Sequence, residues 1–287
     1  MKTSLKMDRP VLFLDSGIGG IPYCRDFHER NPSESIVYLA DRLHFPYGKR
    51  DREELAAVLT GLIEQIIKKY NPKMAVLACN TATLAALSHL RSCFPDLPFV
   101  GTEPAVKPAV LASKIKKIGV LGTEFTIGEP YIKELAGRFG SCDITGIAAP
   151  ELVEFVEECL DSASAEKKRS MAQSYIDRFR TAGVDAIVLG CTHFLFLLEE
   201  FRQAAQDIMV FESVGGISNR IESLLKKTSL DITTCNKISR QKQIVKKTKA
   251  EVPCTNLLLL TGRTAPEDSW IRWANRLGFR LLLLEET

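Results

Sequence analysis

The sequence has no long hydrophobic run. Its 287 residues are 45% hydrophobic, yet no apolar run approaches the ~18 residues of a membrane-spanning helix. The first run, VLFL, is too short for the core of a signal peptide and is followed at once by Asp15. We therefore expect a cytoplasmic protein without a membrane partner.

An excess of charge of one sign is also lacking. The chain carries 38 basic and 35 acidic residues, a net charge of +3, whereas a nucleic-acid-binding protein is expected to show a strong basic excess or stripe. There is no C-x-x-C pair among the eight cysteines, which argues against a structural zinc site. In a cytoplasmic chain we expect these cysteines to be mostly free thiols.

A complete nucleotide-binding motif is missing as well. In DSGIGG (residues 15–20) the third glycine of a dinucleotide fingerprint would fall at Pro22, and no Lys-Ser/Thr pair follows. A glycine-rich turn that enters a helix can still present backbone N–H groups to a carboxylate, although it can also be a simple tight turn. Asp15, at a strand end beside Ser16, is positioned to bind an ammonium group or a proton.

What the chain does have is a regular alternation of short apolar runs with longer amphipathic segments. Residues 52–70, for example, place apolar side chains at helical spacing. This alternation predicts an α/β fold with mainly parallel sheets flanked by helices, in which ligands bind beyond the carboxyl ends of the strands. The predicted strands are 10–14, 35–40, 74–78, 98–101, 118–122, 143–148, 186–190, 208–211 and 256–260.

Two pairs of segments repeat along the chain. VLFLDSGIGG and IGVLGTEFTIG each run from a strand into a polar turn, and VLACNT and VLGCTH form the second pair. The offset between Asp15 and Thr123 is close to that between Cys79 and Cys191. Such a repeat predicts two pseudo-symmetric lobes that face each other.

The repeat also suggests a domain organisation. We predict a first lobe of residues 1–103 together with 212–287, a second lobe of residues 104–211, and an active site in the cleft between them. Residues 226–250 are basic and lack clear periodicity. They are predicted to be a solvated surface connection, with contact to a phosphate-rich partner as the alternative.

The two matching cysteines are the most informative residues. Cys191 and His193 offer only two ligands, fewer than a metal site needs. A Cys–His nucleophile would use that pair but leave Cys79 unexplained. Two thiols on opposite sides of a cleft suit proton removal from one face of a stereocentre and proton donation to the other. The alternative is two unrelated core cysteines, which behave as small apolar side chains.

These motifs resemble those of the aspartate/glutamate racemase superfamily, and within it the bacterial glutamate racemase family. The resemblance covers roughly residues 10–225. It implies cofactor-independent, two-base racemisation of glutamate that supplies D-glutamate for peptidoglycan, with no metal. The motifs that carry it are DSGIGG (15–20), PYG (46–48), ACNTAT (78–83), IGVLGT (118–123) and GCTHF (190–194).

The resemblance also implies roles for particular residues. Cys79 and Cys191 match the two acid–base thiols, with Cys79 taking the proton from D-glutamate and Cys191 taking it from L-glutamate. Asp15 and His193 are expected to tune these thiols, and Glu157 best matches a family glutamate near the histidine. The implied substrate-binding residues are Asp15, Ser16, Tyr47, Gly48, Asn80, Thr81, Thr192 and His193.

Other functions remain open at this point. One is an aspartate racemase or a decarboxylase of the same superfamily. Another is a non-catalytic binding protein of the same fold, against which both cysteines, Asp15 and His193 argue. The expected partner is glutamate, and a homodimer is a possible assembly that the sequence does not fix. Leu195 after Phe194 departs from the family, where a proline usually follows the aromatic residue.

Overall fold

The computed structural model describes residues 8–128, 130–239 and 256–284. Within them, ten strands form two sheets, and every strand pair is parallel. The strands are β1 (Val11–Asp15), β2 (Ile36–Ala40), β3 (Met74–Leu77), β4 (Phe99–Gly101), β5 (Lys117–Gly122), β6 (Asp143–Ala148), β7 (Ala186–Leu189), β8 (Met209–Phe211), β9 (Leu257–Leu260) and β10 (Arg280–Leu283).

Helices connect the strands. They are α1 (Ile21–Arg30), α2 (Arg52–Tyr70), α3 (Asn80–Cys93), α4 (Val106–Ala112), α5 (Glu124–Gly128), α6 (Tyr131–Gly137), α7 (Pro150–Cys159), α8 (Ala165–Thr181), α9 (Leu198–Ala205), α10 (Val214–Ser239) and α11 (Asp268–Leu277). The described residues also contain three short 3₁₀ turns, at Arg42–His44, Tyr47–Lys49 and Thr192–Leu197. In the described part of the chain, no helix is both long and apolar enough to cross a bilayer.

The two sheets share one topology. The larger sheet has the order β10-β9-β2-β1-β3-β4, and the smaller has the order β6-β5-β7-β8. The run β2-β1-β3-β4 thus corresponds to the whole smaller sheet, so β1 is equivalent to β5 and β3 to β7. We call the larger sheet with its helices the first lobe and the smaller sheet with its helices the second lobe. The predicted α/β fold of two pseudo-symmetric lobes is confirmed.

The central strands are buried because helices cover both faces of each sheet, the usual state of an all-parallel sheet. All five residues of β1 and all four of β3 are buried. Each of the nine predicted strands is present, with small shifts at the ends. Strand β10 was not predicted; it pairs with β9 at the edge of the larger sheet.

Helix α2 illustrates how the sequence fixes an element that follows the cleft-lining turn Tyr47–Lys49. It occupies the predicted range, 52–70, and it begins at Asp51, whose side chain accepts hydrogen bonds from the backbone N–H groups of Glu53 and Glu54. Such a cap satisfies donors that the first helical turn leaves free. The helix ends at Asn71 in the left-handed conformation. The cap therefore fixes the residue at which α2 begins after the turn Tyr47–Lys49.

The chain returns from the second lobe to the first through α10, which packs against α1. The segment 226–250, predicted to be a surface connection, begins as part of α10, which continues to Ser239, and residues 240–255 lie outside the described residues. Its exposure to solvent stays a prediction. The lobe boundaries stay predictions. Strands β4 and β5 lie on either side of the first boundary, and β8 and α10 flank the second.

Candidate active site

The carboxyl ends of equivalent strands in the two lobes face one cleft. Eight of the predicted site residues line it: Ser16, Tyr47, Gly48, Cys79, Asn80, Thr81, Cys191 and His193. The other three, Asp15, Thr192 and Glu157, lie behind this layer and contact it or each other. The structure therefore brings all the predicted residues together at a position where α/β proteins bind ligands.

Cys79 follows β3 and occupies the N-cap position of α3 in an extended conformation. Its side chain lies in the cleft, yet the residue is only 7% exposed. Burial raises the pKa of Cys79 well above its usual value, and the negative charge of Asp15 raises it further. The backbone N–H groups of Ala82 and Thr81 lower the pKa of the thiol but do not offset its burial. Cys79 in this state is a protonated thiol, ready to act as an acid.

Cys191 occupies the equivalent position after β7. It too is extended, is 6% exposed and precedes a helical turn, Thr192–Leu197. Its Sγ atom lies 3.7 Å from Nδ1 of His193. The two thiols thus share backbone geometry and burial but differ in their immediate neighbours.

His193 connects Cys191 to a carboxylate on α7. Its Nε2 atom lies 2.6 Å from Oε1 of Glu157. Burial lowers the pKa of His193, but hydrogen bonds to Cys191 and Glu157 outweigh it and raise the pKa well above its usual value. An imidazolium between a sulfur and a carboxylate can donate from both of its nitrogens. The arrangement can therefore deliver a proton to Cys191 or accept one from it.

Asp15 ends β1 and is fully buried. Burial raises its pKa to about 6, although the positive charge of His193 lowers it. Thr192 of the second lobe donates a hydrogen bond from Oγ1 to Oδ2 of Asp15 over 3.2 Å, and Ser16 donates from Oγ to Oδ1. Asp15 is thus ionised at neutral pH and joins the two lobes beneath the cleft.

The glycine-rich turn after Asp15 lies against the second lobe. Its backbone does present an N–H group to a carboxylate, but the acceptor is the protein's own Glu157, 2.8 Å from Ile18 N. A Cβ atom at Gly17 would collide with the Glu157 carboxylate, and one at Gly19 would lie 2.5 Å from Oγ1 of Thr192. The glycines are needed because the two lobes approach closely here.

The loop that carries Tyr47 is held by Asp41. Tyr47 donates from its hydroxyl to Oδ2 of Asp41 over 2.8 Å, and Thr261 donates to Oδ1 over 2.7 Å. His44 lies 2.8 Å from the same carboxylate. Asp41 occupies the position before the turn Arg42–His44, but its side chain caps no backbone group of that turn. It anchors Tyr47 to the end of β9 instead.

Two further contacts cross between the lobes. Asn80 donates from Nδ2 to the carbonyl of Gly190 over 2.7 Å, and its Oδ1 is buried without a partner among the described residues. The hydroxyls of Thr81 and Thr123 lie 3.2 Å apart. Asn80 therefore has an acceptor left for a ligand in the cleft.

Several cleft residues were not predicted as site residues. Thr123 could have been found, because it holds the position of Asp15 in the internal repeat. Lys49 directly follows the PYG motif, and Glu154 precedes Glu157 by one helical turn. The unpredicted lining residues are Phe45, Pro46, Lys49, Thr123, Glu124, Pro150, Val153, Glu154 and Gly190. Across residues 8–128, 130–239 and 256–284, no three His, Cys, Asp or Glu side chains are grouped so that they could hold a metal ion.

Comparison with known proteins shows the family of the chain. Residues 24–215 match the model of the Asp/Glu/hydantoin racemase family, so the chain belongs to that family. It is accordingly an amino-acid racemase, an isomerase.

More particular similarities lie among glutamate racemases. The chain is 39% identical over 222 residues to the glutamate racemase of Sphingopyxis alaskensis, which covers 76% of this chain and 82% of that protein. It is 35% identical over 234 residues to that of Glaesserella parasuis, covering 80% and 86%. The structure matches Escherichia coli glutamate racemase, in complex with L-glutamate and the activator UDP-MurNAc-Ala, with a TM-score of 0.77. That match has 27% identity and covers 96% of this chain and 98% of the other.

Proposed function

We propose that this racemase interconverts L- and D-glutamate by a two-thiol, two-base mechanism without a cofactor, and that it supplies D-glutamate for peptidoglycan in the cytoplasm. The observation that carries the proposal is the equivalent position of Cys79 and Cys191 after β3 and β7, on opposite sides of one cleft. A homodimer stays a prediction.

The reaction needs one base and one acid on opposite faces of the substrate α-carbon. A thiolate on one side takes the α-proton, so that a C–H bond breaks and an S–H bond forms. The thiol on the other side then donates its proton, so that its S–H bond breaks and a new C–H bond forms with inverted configuration. After one turnover the two sulfurs have exchanged protonation states. The protonated state of Cys79 described above suits it to donate when L-glutamate is converted.

The neighbouring groups can bind the substrate and stabilise the carbanion. The free Oδ1 of Asn80, which lines the cleft, suits the substrate ammonium group, and the ionised carboxylate of Asp15 behind this layer adds negative charge. The N-terminus of α3, whose first turn lies beside Cys79, suits a carboxylate. Donors that face the developing charge, in a cleft closed to water, lower the barrier to proton removal. The near-complete burial of both thiols supports such closure.

The test is α-proton exchange into deuterated water for each enantiomer of glutamate and of aspartate, followed by chiral analysis. We expect both glutamate enantiomers to exchange and racemise. Faster racemisation of aspartate would favour an aspartate racemase, and no exchange with any substrate would favour a binding protein. Activity should survive exhaustive chelation; loss of activity that one metal restores would contradict cofactor independence.

A further inference from the structure

Two charged side chains face each other across the mouth of the cleft, one from each lobe. Nζ of Lys49, at the end of the turn Tyr47–Lys49, lies 3.2 Å from Oε1 of Glu154 on α7. Both residues line the cleft, and their side chains are 60% and 52% exposed. The ion pair therefore spans the opening through which a substrate would reach the thiols.

Each partner is attached to a catalytic element. Lys49 follows Tyr47 and Gly48, and Tyr47 is anchored by its hydrogen bond to Asp41. Glu154 lies one helical turn before Glu157, whose carboxylate contacts His193. Because residues three apart on a helix share a face, a movement of α7 that separates Glu154 from Lys49 also moves Glu157. The separation of the lobes at the mouth is thus mechanically linked to the geometry around Cys191.

The cleft is closed in this structure. The two thiols are only 7% and 6% exposed, so a glutamate molecule needs the lobes to separate before it can reach them. We propose that Lys49 and Glu154 form a latch that holds the cleft closed over the substrate and must open for each substrate exchange. This inference rests on the proposed function only in taking glutamate as the molecule that passes.

An exposed ion pair contributes little, and its contribution depends on salt. Removing it should weaken the closed state about two- to fivefold, as expected for one exposed pair. The variants Lys49→Gln and Glu154→Gln should raise KM for both enantiomers by that factor and leave kcat unchanged, because the chemical step occurs in the same closed state. The charge-swapped double variant, Lys49→Glu with Glu154→Lys, should restore KM toward the wild-type value.

A matched control is available on the same side of the cleft. Glu54 is also 52% exposed and pairs with Arg50, but both partners belong to the first lobe. Glu54→Gln should leave KM unchanged. In about 1 M NaCl, where the Debye length is near 3 Å, the wild-type KM should approach that of Glu154→Gln, while the KM of Glu154→Gln should hardly move.

Two kinetic results would overturn the latch. If the swapped variant is as impaired as the single variants, Lys49 acts on the substrate directly; if the single variants keep the wild-type KM, the pair does not hold the cleft closed.

If the wild type fails to racemise glutamate, the proposed function fails instead, and amide hydrogen exchange tests the latch alone. Amides of 47–50 and 151–157 should exchange faster in both single variants and return to the wild-type rate in the swapped one. Equal exchange in all four proteins would refute the latch.

Discussion

Cys79 and Cys191 occupy equivalent positions in the two lobes but have different surroundings. Both follow a central strand in extended conformation, and both are almost fully buried. The pKa of Cys79 is raised chiefly by burial and then by the carboxylate of Asp15, whereas Cys191 contacts the imidazole of His193. The repeated fold thus explains where the thiols lie, and the neighbouring side chains make them chemically unequal.

This inequality matters because the reaction runs in both directions. On the Cys191 side, a chain of contacts joins sulfur, imidazole and carboxylate, so a proton can move at His193 without leaving the site. On the Cys79 side, the raised pKa favours the thiol form. The two directions of racemisation should therefore depend on different residues, and the following predictions test that difference from the largest effect to the smallest.

The largest effect should come from removing either thiol. Cys79→Ala and Cys191→Ala should each lower the rate of racemisation by roughly 10³-fold or more, toward the upper end of what one general acid or base contributes. Chiral chromatography of the product measures the rate, and circular dichroism checks the fold. Cys93→Ala, which removes an exposed free thiol, is the control. Full turnover in either cleft variant would rule out the two-thiol mechanism.

The next effect should distinguish the two directions. His193→Asn should lower kcat for L-glutamate about ten- to a hundredfold and kcat for D-glutamate less, because His193 serves Cys191. Asp15→Asn should show the opposite bias. The two enantiomers are equally populated at equilibrium, so kcat/KM must be the same in both directions. Only the way in which that ratio is divided between kcat and KM can differ. Initial rates with α-deuterated substrates expose the chemical step, and equal slowing with unchanged isotope effects would show that His193 does not belong to the Cys191 side.

Stability should respond to pH in two separate windows. Burial raises the pKa of Asp15 to about 6, so the folded state holds this proton more tightly than the unfolded state, and stability falls as pH rises from about 4 to 6. Asp15→Asn should therefore be more stable than the wild type above pH 6, by roughly 1–3 kcal/mol, with no difference below pH 4. Denaturant unfolding across this range measures the difference.

His193 should affect the stability of the protein at higher pH than Asp15 does. Hydrogen bonds to Cys191 and Glu157 outweigh burial and raise its pKa, so its contribution to stability is complete below about pH 6.5 and is lost as pH rises through the raised pKa. His193→Asn should be less stable than the wild type at pH 6, and the gap should narrow in alkaline buffer. A gap that widens with rising pH would contradict the charged state of His193.

The smallest effect should come from the glycine turn. A Cβ at Gly17 would displace the carboxylate of Glu157, so Gly17→Ala should slow the reaction by less than about tenfold and resemble Glu157→Gln. Because both changes act on one contact, the double variant should be no slower than the slower single variant. Gly61→Ala is the control: its Cβ meets no atom within 4 Å in the middle of α2, and it should stabilise the protein by about 0.5–1 kcal/mol. Additive effects would place Gly17 outside the Glu157 contact.

Much of the fold could be predicted because its strands and helices show their patterns within short stretches of sequence. Each buried strand is a short apolar run, and α2 shows its period and its cap directly in the sequence. Strand β10 was not predicted, although its leucine run resembles that of β9, because a short apolar run is ambiguous between strand and helix. The helical continuation of α10 was not predicted because residues beyond 225 show no clear apolar period.

The candidate site could be predicted only in part. Its motifs follow strands whose ends meet, so topology alone brings Cys79 and Cys191 to one cleft. The contacts between Thr192 and Asp15 and between Lys49 and Glu154 could not be predicted, because they depend on how closely the lobes approach. That approach is set by packing between distant parts of the chain. The catalytic roles themselves stay predictions.

The most direct test of opposed thiols is α-proton exchange in the two alanine variants. In Cys79→Ala, Cys191 can still take the α-proton of L-glutamate and return a deuteron to the same face; Cys191→Ala leaves Cys79 to do so with D-glutamate. In deuterated water we therefore predict that Cys79→Ala labels only L-glutamate and Cys191→Ala labels only D-glutamate, each with retained configuration. Labelling of both enantiomers by either variant, or the reverse pairing, would contradict the assignment of one thiol to each face.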